Sequence, residues 1–249
     1  MTDISEAIIK KTKRVPKPLL TRFYNEDTTF ELSMDEAGRG CLFGRVYIAC
    51  VVLPKESELF DGKDIKDSKK FSSKKKLFEV AEYIKTHALA WHVEHVDANI
   101  IDEINILRAV MRGMHECVRV VMEKLEQRHP IGFSRDQCMA VVDGNYFTPY
   151  RAFDKSDETI HELQSVTIEQ GDAKYMGIAA ASILAKTSRD SYVINLCSQY
   201  PELITRYCLD TNMGYGTKAH LDGIAEHGIS QWHRKTFGNA CKNAVQNNV

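Results

Sequence analysis

The sequence predicts an α/β fold on three observations. A period-two segment from Thr28 leads through glycines into a continuous apolar, β-branched run. A long segment then carries an unbroken stripe of helical period. Two later short strands each run into an aspartate before the chain turns helical again.

The elements follow in order. Phe30, Leu32 and Met34 alternate with Glu31, Ser33 and Asp35, which predicts a strand with one apolar face. Glycines 38, 40 and 44 break that run, Val46–Leu53 follows as a continuous apolar strand, and Pro54 closes it, so a hairpin opens the sheet. Lys63–Lys76 is a Lys-rich loop feeding a helix at Lys74–His87, capped by Ser72 or Ser73. Ala88–Val96 reads as a third strand. Ile101–Gln127 is the strongest helix, because Ile104, Leu107, Met111, Met114, Val118, Val121 and Leu125 step by three and four. Gln137–Val142 is a strand ending at Asp143-Gly144, and Ser165–Glu169 is another ending near Gly171-Asp172. The helix predicted at Ile178–Leu196 carries a run of small residues, Ala179, Ala180, Ala181, Ser182 and Ala185, which lets it approach a sheet closely. The remainder to Phe237 reads as helical with a Gly-rich interruption at Met213–Thr217, and the last dozen residues read as a loose polar tail.

Composition narrows the function. The chain has 249 residues, 33 Lys+Arg against 34 Asp+Glu and a net charge of −1, which disfavours indiscriminate coating of polyanions but leaves room for segregated charge. Apolar runs near eight residues fall far short of the roughly 18–20 that a spanning helix needs, so no membrane is expected. The 7 cysteines form no CxxC or CxxH pair, which argues against zinc fingers and dithiol redox sites. The first residues lack a secretory h-region, and a cytoplasmic setting is expected. Lys10, Lys11, Lys13, Arg14 and Lys17 make the opening stretch basic, either as a surface-laid extension or as an arm touching phosphate or a partner.

Asp35, Asp143 and Asp172 occupy equivalent places at strand ends, where ligand sites gather in open α/β sheets. Carboxylates grouped there repel one another unless cations lie between them, so the pattern points to divalent metal. Glu36 joins them only if the strand ends there and the backbone turns, which the following glycines permit. Gly38-Arg39-Gly40 is either a tight turn needing positive φ or a bare backbone that admits a sugar-phosphate; lacking Gly-Lys-Ser/Thr, it is not a Walker loop. His92 and Glu94 share a strand face and read as a solvated edge before they read as metal ligands. His220 and His233 read as structural histidines, and Trp232 as packing.

Taken together, Met34-Asp35-Glu36-Ala37-Gly38-Arg39-Gly40, Asp67-Ser68-Lys69-Lys70, Val142-Asp143-Gly144, Gly171-Asp172 with Ala179–Lys186 and Arg189-Asp190, Gly214-Tyr215-Gly216-Thr217-Lys218 with His220, and His233–Phe237 resemble the ordered motifs of type 2 ribonuclease H, specifically ribonuclease HII, over about residues 30–238. Ile101–Leu107 looks like the single-subunit bacterial-type branch. The resemblance implies an RNase H-like α/β fold, with a mixed central sheet flanked by helices and a helical C-terminal region. It implies an endonuclease that cuts the RNA strand of RNA/DNA hybrids and cuts 5′ of ribonucleotides in duplex DNA, leaving 3′-OH and 5′-phosphate ends.

By similarity, Asp35, Glu36, Asp143 and Asp172 are the catalytic ligands of two divalent cations, Mg²⁺ or Mn²⁺. Gly38, Arg39 and Gly40 match the segment sensing the ribonucleotide 2′-OH, Tyr215 the tyrosine stacking on the next sugar, and Lys69 a phosphate contact. The implied layout is a basic extension at 1–28, a catalytic domain at 29–238 and a polar tail at 239–249, in a monomer without a sliding-clamp motif. Two other readings are weaker. Ribonuclease HIII usually has a different residue between the glycines, and an idle hybrid-binding module would gain by shedding carboxylates beside phosphate. One departure stands out: Cys41, Phe43 and Arg45 replace the family's usual Pro, Ala and Pro, which is expected to loosen the loop after Gly40.

Overall fold

Seven apolar side chains in Val46–Val52 leave neither face of that strand compatible with water, so both must be covered. The structure, a computed structural model that describes residues 20–129, 131, 133–154 and 158–247, covers them with helices on both sides. The basic residues Lys10 to Lys17 lie outside the described residues.

Strands β1 (Phe30–Ala37), β2 (Val46–Val52), β3 (Ala90–Val96), β4 (Cys138–Asp143) and β7 (Gln164–Ile168) form one sheet in the order β3-β2-β1-β4-β7. The β1–β2 and β2–β3 pairs are antiparallel, as the predicted hairpin requires, whereas β1–β4 and β4–β7 are parallel, so the sheet is mixed. One face packs on α3 (Ile106–Arg128) through Leu32, Met34, Ile48, Met114 and Val118. The other packs on α1 (Lys74–His87) and α4 (Met176–Gln199). Ser73 caps α1, accepting from the Lys76 amide. The small-residue helix does press on the sheet: a Cβ on Gly177 would stand 2.2 Å from Ser33 Oγ.

Three expectations need correction, and one element is added. β1 is not half-exposed, because Glu31, Ser33 and Asp35 are also buried; the Glu31 carboxylate accepts from the Tyr24 and Asn25 amides at 3.1 and 2.6 Å. The long helix is two helices, α2 (Ala98–Ile104) and α3, broken at Asn105, whose φ of +68° lets its side chain cap the Arg108 amide at 3.1 Å. The break rotates Leu107 off the stripe to the surface. A separate two-stranded hairpin, β5 (Arg151–Asp154) and β6 (Thr159–Glu162), was not foreseen. Finally, the tail is not loose through residue 247. α8 (Gly238–Asn243) buries Cys241, and the Ile229 amide donates to the Val245 carbonyl at 2.9 Å.

With α5 (Glu202–Tyr207), α6 (Leu209–Asn212) and α7 (Lys218–His227), α8 closes a third cluster around Phe43, Tyr207 and Ile224. Among the described residues no helix is long and apolar enough to cross a membrane.

Candidate active site

Parallel pairing of β1 with β4 runs in register to Met34 opposite Val142, which brings Asp35 and Asp143 to the next adjacent positions. Asp172 follows β7 in a tight turn at Gly171–Ala173, and Asp143 Oδ1 accepts from the Gly171 amide at 2.6 Å. The three aspartates therefore gather at one end of three neighbouring strands, but only Asp143 ends its strand: Asp172 lies in the turn beyond β7, and Asp35 lies two residues inside β1, which runs on to Ala37. Asp35 Oδ1 accepts from the Glu36 amide at 2.7 Å, and the Ser182 hydroxyl of α4 also bonds its carboxyl. Ser182 in turn meets Ser68 at 3.0 Å, which ties the Asp67–Lys70 turn to the base of the site.

Glu36 reaches the group by a different route from the one expected. β1 does not end there, since Glu36 and Ala37 still pair with Ile48 and Tyr47 of β2; the turn comes afterwards at Gly38. Glu36 instead forms an ion pair with Arg39 at 3.2 Å, and Asp172 one with Lys69 at 3.7 Å.

Electrostatics mark the grouping. Burial pushes the Asp35 carboxyl well above the usual carboxylate range, and the charges of Glu36 and Asp143 add to it. Burial also raises Glu36, opposed by Arg39, and raises Asp143, with Asp172 adding and the Gly171 amide opposing. Burial works to lower Lys69, but Asp172, Asp67, Asp35 and Asp143 outweigh it and hold its pKa above the lysine norm. Crowded hard oxygen donors with raised pKa values suit a hard divalent cation, which would relieve their repulsion. Among the described residues, however, no three His, Cys, Asp or Glu side chains are grouped tightly enough to share one ion as they stand. The two outer carboxylates are turned to Arg39 and Lys69 instead. The donor set fits by chemistry.

The two glycines of Gly38-Arg39-Gly40 divide the two readings between them. Gly38 has φ +89°, and a Cβ there would lie 2.1 Å from Arg189 Nε, so it serves the turn. Gly40 lies outside that region of φ, and a Cβ there would meet nothing within 4 Å, so its bare face is open to an incoming backbone. Tyr215 is 50% exposed, with the Arg189 guanidinium 5.8 Å from its ring centre. Its loop joins the glycine loop through the Leu42 amide, which donates to the Gly214 carbonyl at 2.9 Å.

The loop after Gly40 is pinned, contrary to expectation. Phe43 is fully buried against Trp232 and His233, and Arg45 pairs with Asp97 at 2.6 Å. Beneath it lie two buried arginines to which sequence reasoning gave no role. Arg234 donates to the Gly44 and Arg39 carbonyls at 2.9 Å each, and Arg189 to the Phe43 carbonyl at 3.2 Å. Their only signal was their place inside the quoted motifs. Trp232 packs between Tyr200 and Phe43, and His220 and His233 are buried, as expected. His92 and Glu94 lie 3.4 Å apart on edge strand β3 without a third ligand among the described residues.

A cavity of about 800 Å³ between β3 and α3, lined by Glu94, Asp97, Arg112 and Arg119, lies away from the carboxylates.

Comparisons with known proteins agree on one family. The family model described as Ribonuclease HII matches residues 32–240. A ribonuclease HII of Parabacteroides distasonis is 41% identical over 214 residues, covering 86% of this chain and 92% of that protein. One of Bacteroides thetaiotaomicron is 40% identical over 219 residues, covering 88% and 94%. The ribonuclease HII in a solved PCNA:RNase HII complex from Archaeoglobus fulgidus shares the fold, with a TM-score of 0.57, 24% identity and 84% and 95% of the two chains covered. A Bst-RNase HIII solved in complex with Mn²⁺ shares it at a TM-score of 0.56 and 13% identity, covering 88% of this chain and 66% of that one. On the family model and the close relatives, the chain belongs to the ribonuclease HII family of hydrolytic endonucleases.

Proposed function

We propose that this protein hydrolyses the RNA strand of RNA/DNA hybrids and cuts 5′ of single ribonucleotides embedded in duplex DNA, leaving 3′-OH and 5′-phosphate ends. The observation that carries the reading is the joining of two loops beside one carboxylate group: Gly38–Gly40, with its open face, is bonded to the loop of half-exposed Tyr215 and adjoins Asp35 and Glu36. In this reading the catalytic unit spans residues 29–238.

Asp35, Glu36, Asp143 and Asp172 would hold two divalent cations, Mg²⁺ or Mn²⁺. When bound, the pair supplies Lewis-acid polarisation of the scissile phosphodiester and neutralises its developing charge. Lys69, its amine reaching the edge of the carboxylate group, contacts a phosphate. The peptide groups of Gly38–Gly40 meet the 2′-OH, which distinguishes RNA from DNA. The Tyr215 ring stacks on the following sugar, a contact blind to base identity. Reading the sugar and not the base edge suits an enzyme that acts in any sequence.

The test is a cleavage assay on two substrates, an RNA/DNA hybrid and a DNA duplex bearing one ribonucleotide, each with Mg²⁺ and with Mn²⁺. Both are expected to be cut, the second 5′ of the ribonucleotide. Cleavage of the hybrid alone would remove the embedded-ribonucleotide activity, and turnover in excess chelator would remove the cation requirement.

A further inference from the structure

Under Tyr215 runs a buried chain of hydrogen bonds whose every proton can be assigned. The Ser230 backbone amide donates to His233 Nδ1 at 3.0 Å. An amide can only donate, so Nδ1 carries no proton and the imidazole proton is on Nε2. That Nε2 lies 3.0 Å from His220 Nε2 and donates to it, which leaves the His220 proton on Nδ1. His220 Nδ1 then donates to the Tyr215 carbonyl at 2.9 Å. The Ser230 hydroxyl, 2.8 Å from His233 Nδ1, adds a second donor at the head of the chain. One amide thus fixes two tautomers and orients a chain that ends on the backbone of the exposed tyrosine.

The surroundings preserve that order. Ser230, His220 and His233 are buried, and the rings of Tyr207 and Phe43 stand 4.8 and 5.1 Å from His233. Tyr215 itself needs such a hold, because Gly214 and Gly216 flank it and glycine leaves the backbone many conformations. Its carbonyl also accepts from the Thr217 amide at 2.8 Å, and the Thr217 hydroxyl caps the His220 amide at 3.4 Å. The carbonyl therefore sits at the junction of the glycine-flanked loop with the first turn of α7.

We propose that His220 and His233 are positioning residues for substrate discrimination: their one-way hydrogen-bond chain fixes the Tyr215 backbone and so holds its ring where the sugar beyond the cut must stack. The inference rests on the stacking role given to Tyr215 under Proposed function. Neither histidine touches substrate in this scheme.

Two replacements of His220 separate the ends of the chain. Asn places its amide near the former Nδ1 and keeps the bond to the Tyr215 carbonyl, whereas Gln reaches the former Nε2 and keeps only the partner His233. The measurement is the ratio of kcat/KM on the single-ribonucleotide duplex to kcat/KM on the hybrid. His220→Gln is expected to lower that ratio on the order of fivefold, the worth of one backbone hydrogen bond, and His220→Asn to hold it within about twofold. An equal loss on both substrates in His220→Gln would mark a merely structural role and overturn the inference. Tyr215→Ala runs alongside: an unchanged ratio there defeats the stacking reading itself, while a changed ratio there with none in His220→Gln defeats only the chain. Should the variants fail to fold, ¹⁵N spectra of the histidines in the unaltered protein decide. Nδ1–H for His220 and Nε2–H for His233 are expected at pH 7, and the opposite tautomers or a charged ring would refute the chain.

Discussion

His233 should make this protein lose stability in mild acid. Burial drives its pKa down from the ordinary 6.5 to about 3, with the neighbouring His220 adding in the same direction. The unfolded chain takes up a proton near pH 6.5 that the folded chain refuses until about pH 3, so the unfolded state binds more protons throughout that window. Stability is therefore complete above pH 6.5 and falls as pH falls towards 3. At pH 5 the gap from the unfolded value is about 1.5 pH units, and at 1.36 kcal/mol each this one ring costs about 2 kcal/mol, roughly thirtyfold in the folding equilibrium. His220, also lowered by burial, adds to the loss with the same sign. Urea unfolding at pH 7.5 and pH 5.0 measures the total, and subtracting the same difference for His233→Gln isolates this residue from the other histidines. Equal pH sensitivity in the two proteins would refute the reasoning, because it would mean that His233 titrates alike folded and unfolded.

Further outcomes follow from the same geometry. Asp143→Asn should abolish cleavage with Mg²⁺ or Mn²⁺ while leaving the circular dichroism spectrum unchanged; retained turnover would remove Asp143 from the catalytic group. Gly40→Ala meets no protein atom, so its melting temperature should match the parent while cleavage falls, and unimpaired cleavage would show that no backbone approaches there. Gly38→Ala, with positive φ and Arg189 in the way, should instead lose at least about 1 kcal/mol of stability in urea unfolding. Phe43→Ala empties a fully buried site and should cost about 3–5 kcal/mol, which the same unfolding curves would report.

What was legible in the sequence had a pattern with one physical cause. β2, β4 and α4 were found because burial selects runs of apolar or small residues along them, and α3 because burial on one side imposes a helical period. The α2–α3 break was hidden because Asn105 interrupts the backbone without interrupting the stripe. The β5–β6 hairpin was hidden because its apolar pair, Phe153 and Ile160, is exposed and its strands are four residues long. At the site, the aspartates announced themselves by their places at or near the ends of apolar strands, but the direction taken by Glu36 depends on Arg39, which no spacing rule encodes. Arg189 and Arg234 were passed over because a charged side chain is read as surface unless a partner is visible. Their partners are carbonyls, which sequence does not display.

Those carbonyl contacts also set a timetable. Arg234 grips Gly44 and Arg39 from 190 and 195 residues away along the chain. A nascent chain released only as far as Gln231 would already contain Asp35, Glu36, Asp143 and Asp172, yet its glycine loop would lack the guanidinium that fastens it. Contacts of such long sequence separation form late, after much of the closure entropy has been overcome. The four carboxylates are thus made early and the glycine loop is fastened last, so on the proposed reading a half-made chain on the ribosome carries the hydrolytic group without its secured guide.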